Sequence, residues 1–343
     1  MKTILIILDG ISEDRCHELN NMTPLEYANT PIMDKIINEG THEKTCFCPN
    51  SRNPDSLVCI LSILGVEKGL IPKNRAYLEA LAAGIDVEDD EVVLRCNLVS
   101  VEHDKLESFN ARGLNKATIK NTLDNIVTDE KIRFYHLSDY RNLIVIKKND
   151  EILNLVDIPP HENVGQNVLD MLKYIKKIDV LDSFVEDNAF KFNDKSYMFY
   201  PWGVSEKTLL PSFLELHHKT CSCVCSTEIV TGIAKAMKID LVYLENATGD
   251  TDTDLLEKAK AVLAEINIHD VVIAHINGTD EVSHRKDLNG KIKFIEKIDR
   301  EFLSKIYINA WKTANIIIVS DHQTSSKTGK HEKGCVDVIK NMI

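Results

Sequence analysis

The stretch GTDEVSH, residues 278–284, follows the apolar run VVIAHI and sets Asp280 and His284 four positions apart. Residues at that spacing share one face of a helix, so a helix here presents a carboxylate and an imidazole together, a natural pair of metal ligands. Similar residues recur where other apolar runs end. Asp9 closes TILIILD, Asp321 and His322 close NIIIVSDH, and His331 lies nine residues beyond His322. Mixed carboxylate and imidazole donors suit Mn²⁺, Zn²⁺ or Fe²⁺ better than Ca²⁺, which prefers oxygen alone. Six such residues suffice for two ions, the arrangement that clamps the attacking and leaving oxygens in phosphoryl displacement. A nucleophile is offered by NPDSLVCILSILG, where Ser56 stands just before an apolar helix that ends at Gly65. A serine at a helix N-terminus lies where backbone N–H groups and the helix dipole favour a phosphate. A metal on its Oγ would generate an alkoxide without a general base.

The elements that must position these residues are legible as well. The runs 3–9, 270–280 and 315–322 are near-continuous and rich in Ile and Val, the pattern of strands buried on both faces of a parallel sheet. In open α/β sheets, ligand sites lie beyond the carboxyl ends of the strands. Three strands therefore bring Asp9, Asp280 and Asp321 to one edge. Thr23-Pro24 and Thr30-Pro31 read as N-caps followed by Pro at the first helical position, with Gly40 closing the second helix. Helical spacing also marks 229–239, about 252–266 and about 288–307, and DLVYL (240–244) reads as a strand. This alternation predicts a doubly wound, mostly parallel α/β sheet. Between about 80 and 195 the pattern changes to shorter strands (EVVLRCNLVSV, NLIVIKK), helices and polar turns. The expected organisation is a discontinuous domain of 1–79 and 196–343, with a smaller α+β domain of 80–195 inserted into it.

Bulk properties exclude several classes. A formal charge of −12 argues against nucleic acid as a partner, and it requires bound cations if the substrate is an anion. No apolar run approaches the ~20 residues of a membrane helix. The start, MKTILIILDG, is interrupted by Asp9 and reads as a strand and not a signal peptide, so a cytoplasmic protein without a membrane partner is expected. The nine cysteines include no CxxC pair; Cys46 and Cys48 form a CxC, and Cys221, Cys223 and Cys225 alternate along a strand. Reduced thiols are the expectation. Adjacent His217 and His218 read as surface residues. His275 fits equally a group supporting the metal ligands or a satisfied core histidine.

Several stretches together resemble one family. These are LDGISEDR with TPLEYANTPIMDKI, SLVCILSILG, YLEALAAGIDVEDDEVVLRCNLVSV, LPSF, NATGDTDTDLLEKAKA, INGTDEVSH with KIDRE, and SDHQTSSKTGKH. In this order, from residue 4 to 331, they are similar to the archaeal-type, cofactor-independent phosphoglycerate mutases of the alkaline phosphatase superfamily. The resemblance implies an alkaline-phosphatase-like fold whose inserted domain is a lid. It implies one metal held by Asp9, Ser56, Asp321 and His322, and a second held by Asp280, His284 and His331. Mn²⁺ is the expected ion, with Zn²⁺ or Mg²⁺ as alternatives. The implied activity is an isomerase reaction on a small phosphorylated metabolite. It interconverts 3-phosphoglycerate and 2-phosphoglycerate through a phosphoserine on Ser56, and the lid excludes water. Arg75, Arg95, Arg112, Arg141 and His161 are the candidate substrate contacts. The chain departs from the family pattern at Asp55 and Leu57, which flank the nucleophile, at Asn277, at Arg285, and in the few arginines of the lid. These departures leave open a phosphomonoester hydrolase, or a mutase for another small phosphate, on the same two-metal site.

Overall fold

The structure, a computed structural model, describes residues 2–341. Its contacts divide the chain into two compact units, Met1–Ile71 with Leu209–Ile343, and Pro72–Thr208. The second unit is wider at both ends than the 80–195 anticipated. The helix Ala76–Ala82 packs on the strands Glu91–Glu102 and Lys195–Glu206, and the second of these runs on to residue 206.

In the first unit seven strands lie in the order Asp240–Val242, Cys221–Val224, Val271–Ile276, Thr3–Leu8, Asn315–Val319, Val336–Asn341, Gly40–Thr45. The first five are mutually parallel, and the last two add antiparallel at one edge. The three apolar runs occupy the centre, which is why they show no alternation: both faces are covered. Ile4, Ile6 and Leu8 join Met33, Ile36, Val262 and Phe302 in one buried cluster. Each such side chain contributes roughly 1.5–3 kcal/mol through the area it removes from water. The register carries the donors to one level. Ile7 pairs with Val319 and Leu8 with Ile276, so Asp9 emerges beside Asp321 on one side and Asn277 on the other.

Local chemistry follows the sequence with some differences. Thr23 forms a capping box with Glu26, as its position before Pro24 suggests. Thr30 makes no side-chain cap; Asp299 accepts from the backbone N–H groups of Ile32 and Met33 at 3.2 and 2.7 Å instead. Asp299 belongs to a π-helical segment, Ile298–Leu303, joining the helices Leu288–Lys297 and Ser304–Ala310. His217 is half-buried and not simply a surface residue, because its Nε2 meets the Leu64 carbonyl at 2.8 Å and its ring packs on Phe213.

The cysteine expectation is corrected. Cys46 and Cys335 form a disulfide, and the other seven cysteines are free. Thr45 pairs with Val336 across the antiparallel edge, which sets the next two residues, Cys46 and Cys335, opposite each other. They are 289 positions apart in sequence, so no spacing rule reveals them.

The second unit has its own mixed α+β build. Its strands run Ile132–Ser138, Arg141–Lys147, Glu91–Glu102, Lys195–Glu206, Phe190–Phe192, with Lys105–Ser108 also pairing Glu91–Glu102. All these pairings are antiparallel. Leu94, Leu98, Ile144, Leu181 and Phe199 anchor a separate buried cluster. Among the described residues, no helix is long and apolar enough to cross a membrane.

Candidate metal centre

Five segments of the first unit converge at the carboxyl edge of the central strands. Asp9 follows Thr3–Leu8, and Asp321 and His322 follow Asn315–Val319. Asp280 and His284 lie on the helix Gly278–His284, where the four-residue spacing brings Oδ2 and Nε2 within 3.0 Å. His331 begins a two-residue strand that pairs with Gln323–Thr324, folding the polar loop back toward His322. Ser56 opens the helix Ser56–Ile63, and Asp55 caps it by accepting from the Val58 N–H at 2.8 Å. That bond engages Asp55 Oδ1 and holds the carboxylate at the start of the Ser56 helix.

The distances are those of metal donors. His322 Nε2 lies 3.3 Å from Asp321 Oδ2, 3.4 Å from Asp9 Oδ1 and 3.3 Å from Ser56 Oγ, which itself lies 3.5 Å from Asp9 Oδ2. In the second group, His331 Nε2 lies 3.4 Å from Asp280 Oδ1 and 3.2 Å from His284 Nε2. Donors held ~2.1 Å from one ion stand about 3.0 Å apart along an octahedral edge and about 3.4 Å along a tetrahedral one. The His322 and His331 ring centroids lie 3.8 Å apart with the planes tilted by 31°, so the groups adjoin, and His322 is within reach of Asp280 and His331 as well as Asp9 and Asp321.

Hydrogen bonds outside the centre set the imidazole tautomers. His284 Nδ1 meets the Gly329 carbonyl at 2.9 Å, and His331 Nδ1 meets the Pro54 carbonyl at 3.1 Å. A carbonyl only accepts, so each Nδ1 carries a proton and each Nε2 faces inward, where loss of its own proton would free a lone pair for a metal. Among the described residues, the buried Asp9 Oδ1 and Asp321 Oδ2 find no hydrogen-bond partner. The donor set therefore fits divalent cations.

Charge shifts at the centre have the same origin. Burial, reinforced by the Asp321 and Asp280 carboxylates, raises the Asp9 carboxyl well above its usual range. Burial also opposes charge on Asp280, but its bonds to His284 and His331 prevail and hold it well below the usual range. The His284 imidazole is itself opposed by burial, yet the contact with Asp280 pushes it up to about 9. His275 is wholly buried, and burial with the Lys258 ammonium pushes it down to about 3. It is therefore neutral, and its Nε2 lies 3.0 Å from Asp9 Oδ2, where an Nε2–H would donate to the Asp9 carboxylate and orient it.

Sequence reasoning missed the groups behind the donors. Lys291, fully buried, donates to Glu13 Oε2 at 2.9 Å and to the Thr324 carbonyl at 2.8 Å, while Glu13 Oε1 accepts from the backbone and hydroxyl of Ser326. This tethers the loop that carries His322 and His331. The available signal was composition: Gln323, Thr324, Ser325 and Ser326 follow a buried strand, and buried polar groups need partners. Arg285 forms a bidentate pair with Asp250, both contacts 2.7 Å, and Asn277 donates to the Gly249 carbonyl at 2.8 Å. Both departures from the family pattern thus hold the neighbouring loop.

The candidate substrate residues all lie in the second unit. Arg75 and Arg95 meet on Glu79 at 2.7 and 3.0 Å, and the Arg141 charge acts on the same carboxylate. Burial brings Arg95 down to about 10, still cationic at neutral pH, and its guanidinium lies over the Trp202 ring at 4.4 Å. The His161 ring lies near Trp202 as well, with centroids 5.5 Å apart and the planes tilted by 55°. Arg112 enters a different set of charges, beside Glu107.

A mostly parallel α/β sheet whose carboxyl edge gathers carboxylates and imidazoles that fit divalent metal is the class these features define. The chain belongs to the metalloenzyme superfamily, whose family description matches residues 1–340. Among its relatives is the 2,3-bisphosphoglycerate-independent phosphoglycerate mutase of Methanosarcina acetivorans, 28% identical over 97% of this chain and 88% of that protein. A solved structure of a protein from Pyrococcus horikoshii shares the fold at a TM-score of 0.79 and 24% identity, covering 99% of this chain and 87% of that one. The cofactor-independent phosphoglycerate mutase of Thermoplasma acidophilum follows at 0.60 and 18%, covering 99% and 89%. The family resemblance read from the motifs therefore holds.

Proposed function

We propose that the protein is a metal-dependent phosphoglycerate mutase that interconverts 3-phosphoglycerate and 2-phosphoglycerate. The observation that carries this reading is Ser56, whose Oγ stands at a helix N-terminus 3.3 Å from His322 Nε2 and 3.5 Å from Asp9 Oδ2. Asp9, Ser56, Asp321 and His322 would hold one ion, and Asp280, His284 and His331 another. Two divalent cations, Mn²⁺ by the donor set with Zn²⁺ or Mg²⁺ as alternatives, would supply charge for the phosphoryl oxygens and lower the Ser56 pKa. Ser56 Oγ gives up its proton and attacks phosphorus as the bond from phosphorus to the C3 oxygen breaks, and that oxygen takes up a proton. The glycerate then reorients. Its 2-hydroxyl gives up a proton and attacks the phosphoserine, restoring Ser56. The helix N-terminus supplies N–H groups to the phosphoryl oxygens throughout. The second unit is the proposed lid: it excludes water, which would otherwise hydrolyse the phosphoserine, and Arg75, Arg95, Arg112, Arg141 and His161 are its substrate contacts.

Phosphorus NMR with the Zn²⁺- or Mg²⁺-loaded protein and 3-phosphoglycerate tests the reading. A growing 2-phosphoglycerate resonance without free phosphate is expected. Inorganic phosphate alone would replace the mutase by a phosphomonoester hydrolase, and a Ser56→Ala variant with full activity would remove the phosphoserine.

A further inference from the structure

One hydroxyl touches both donor groups. Thr324 Oγ1 lies 2.6 Å from Asp280 Oδ1 and 3.1 Å from His322 Nδ1, and Thr324 is wholly buried. We propose that Thr324 is a positioning residue that couples the two metal sites through this hydroxyl. The inference rests on reading the centre as metal-binding.

The direction of the bonds follows from Asp280. A carboxylate only accepts, so the Thr324 O–H donates to it, and the hydroxyl oxygen is left to accept from His322 Nδ1–H. That places the His322 proton on Nδ1 and its lone pair on Nε2, the atom facing Asp9, Asp321 and Ser56. One proton arrangement thus orients an imidazole of the first group and a carboxylate of the second. The backbone of Thr324 serves the same pair of sites. Its N–H donates to the Ser12 carbonyl at 3.1 Å, its carbonyl accepts from Lys291, and in the short hairpin it lies opposite His331.

Gly10 shows how closely the bridge is packed. With φ at +61°, it adopts a conformation that L side chains rarely take, and a Cβ there would stand 2.5 Å from Thr324 Oγ1 and 2.8 Å from Asp280 Oδ1. Only glycine lets the strand end approach the hydroxyl and the carboxylate together. Its own N–H donates to Asp321 Oδ1 at 3.1 Å, so the same turn fixes a ligand of the first group.

The test is metal affinity. Full-length metal-free protein is titrated with Zn²⁺ against a chromophoric chelator, for wild type, Thr324→Val, Thr324→Ala and Thr324→Ser. Loss of such supporting bonds weakens metal binding by about 10- to 100-fold. Val and Ala should therefore raise Kd for both ions, and Ser, which keeps the hydroxyl, should restore them. A folded Val or Ala variant with wild-type affinity, a loss confined to one ion, or failure of Ser to restore binding overturns the coupling. Wild type that takes up no Zn²⁺ overturns the metal reading itself. A ¹⁵N-edited spectrum of wild-type Zn²⁺ protein gives a variant-independent check: His322 must carry its proton on Nδ1, and a proton on Nε2 refutes the bridge.

Discussion

Lys291→Met should destabilise the first unit severely, and the reason is electrostatic. The ammonium is fully buried, and it is the cation paired with Glu13, itself 5% exposed. Burial pushes the Lys291 pKa down, with Glu13 opposing that shift, so the pair as a whole has a high desolvation cost that its internal bonds offset. Removing only the cation leaves the Glu13 carboxylate buried with Ser326 as its donor, and leaves the Thr324 carbonyl without Lys291. Breaking such a pair costs about 3–5 kcal/mol. With a urea m-value of roughly 3 kcal/mol/M, about 4 kcal/mol lowers the midpoint by about 1.3 M. Replacing both partners, Glu13→Gln with Lys291→Met, should recover more than half of the loss, because the Gln amide stays neutral and its oxygen can still accept from Ser326. Urea titrations of the wild type, the single variant and the double variant measure this. A single-variant shift below about 0.3 M, or a double variant no better than the single, would refute the tether.

Further tests address the edge strands, the second unit and the second donor group. Protein unfolded without reductant should titrate seven free thiols, and nine after reduction; nine without reductant would exclude the Cys46–Cys335 bond. Burial alone would raise the Glu79 carboxyl, but Arg95 and Arg75 outweigh it and hold it below the usual range. A depressed folded-state pKa means that the stabilisation is complete above the unfolded value of about 4.3 and is lost as pH falls through the lower folded value. Trp202 fluorescence, read in a Trp311→Phe background, should show this acid loss in the wild type and a flatter dependence in Glu79→Gln. Identical pH profiles would contradict it. His284→Ala should lower bound metal from two ions to one per chain in mass-spectrometric analysis, and unchanged stoichiometry would remove His284 from the ligand set.

Much of the centre was legible because strand ends and helix spacing are local properties. Asp9, Asp321 and His322 needed only the recognition that their apolar runs are parallel strands, since a parallel sheet brings all its carboxyl ends to one edge. The contact between Asp280 and His284 followed from helical spacing alone. Ser56 followed from its place at the start of an apolar helix. The sequence by itself thus determined the central parallel strands, several of the helices, and which donor types they deliver to one edge.

Only the tertiary structure decided what stands behind those donors. Asp299 caps the helix Pro31–Glu39 from 266 positions away, Cys46 meets Cys335 across 289, and His275 reaches Asp9 across 266. None of these contacts leaves a periodicity, because each depends on which strand or helix becomes the neighbour. The Thr324 bridge is equally invisible, since it needs the register of a two-residue hairpin and the closeness that Gly10 permits. Local pattern selects the candidate ligands, while the packing of distant segments sets their protons, orientation and charge, because hydrogen bonds and desolvation act over a few ångströms of space and not along the chain.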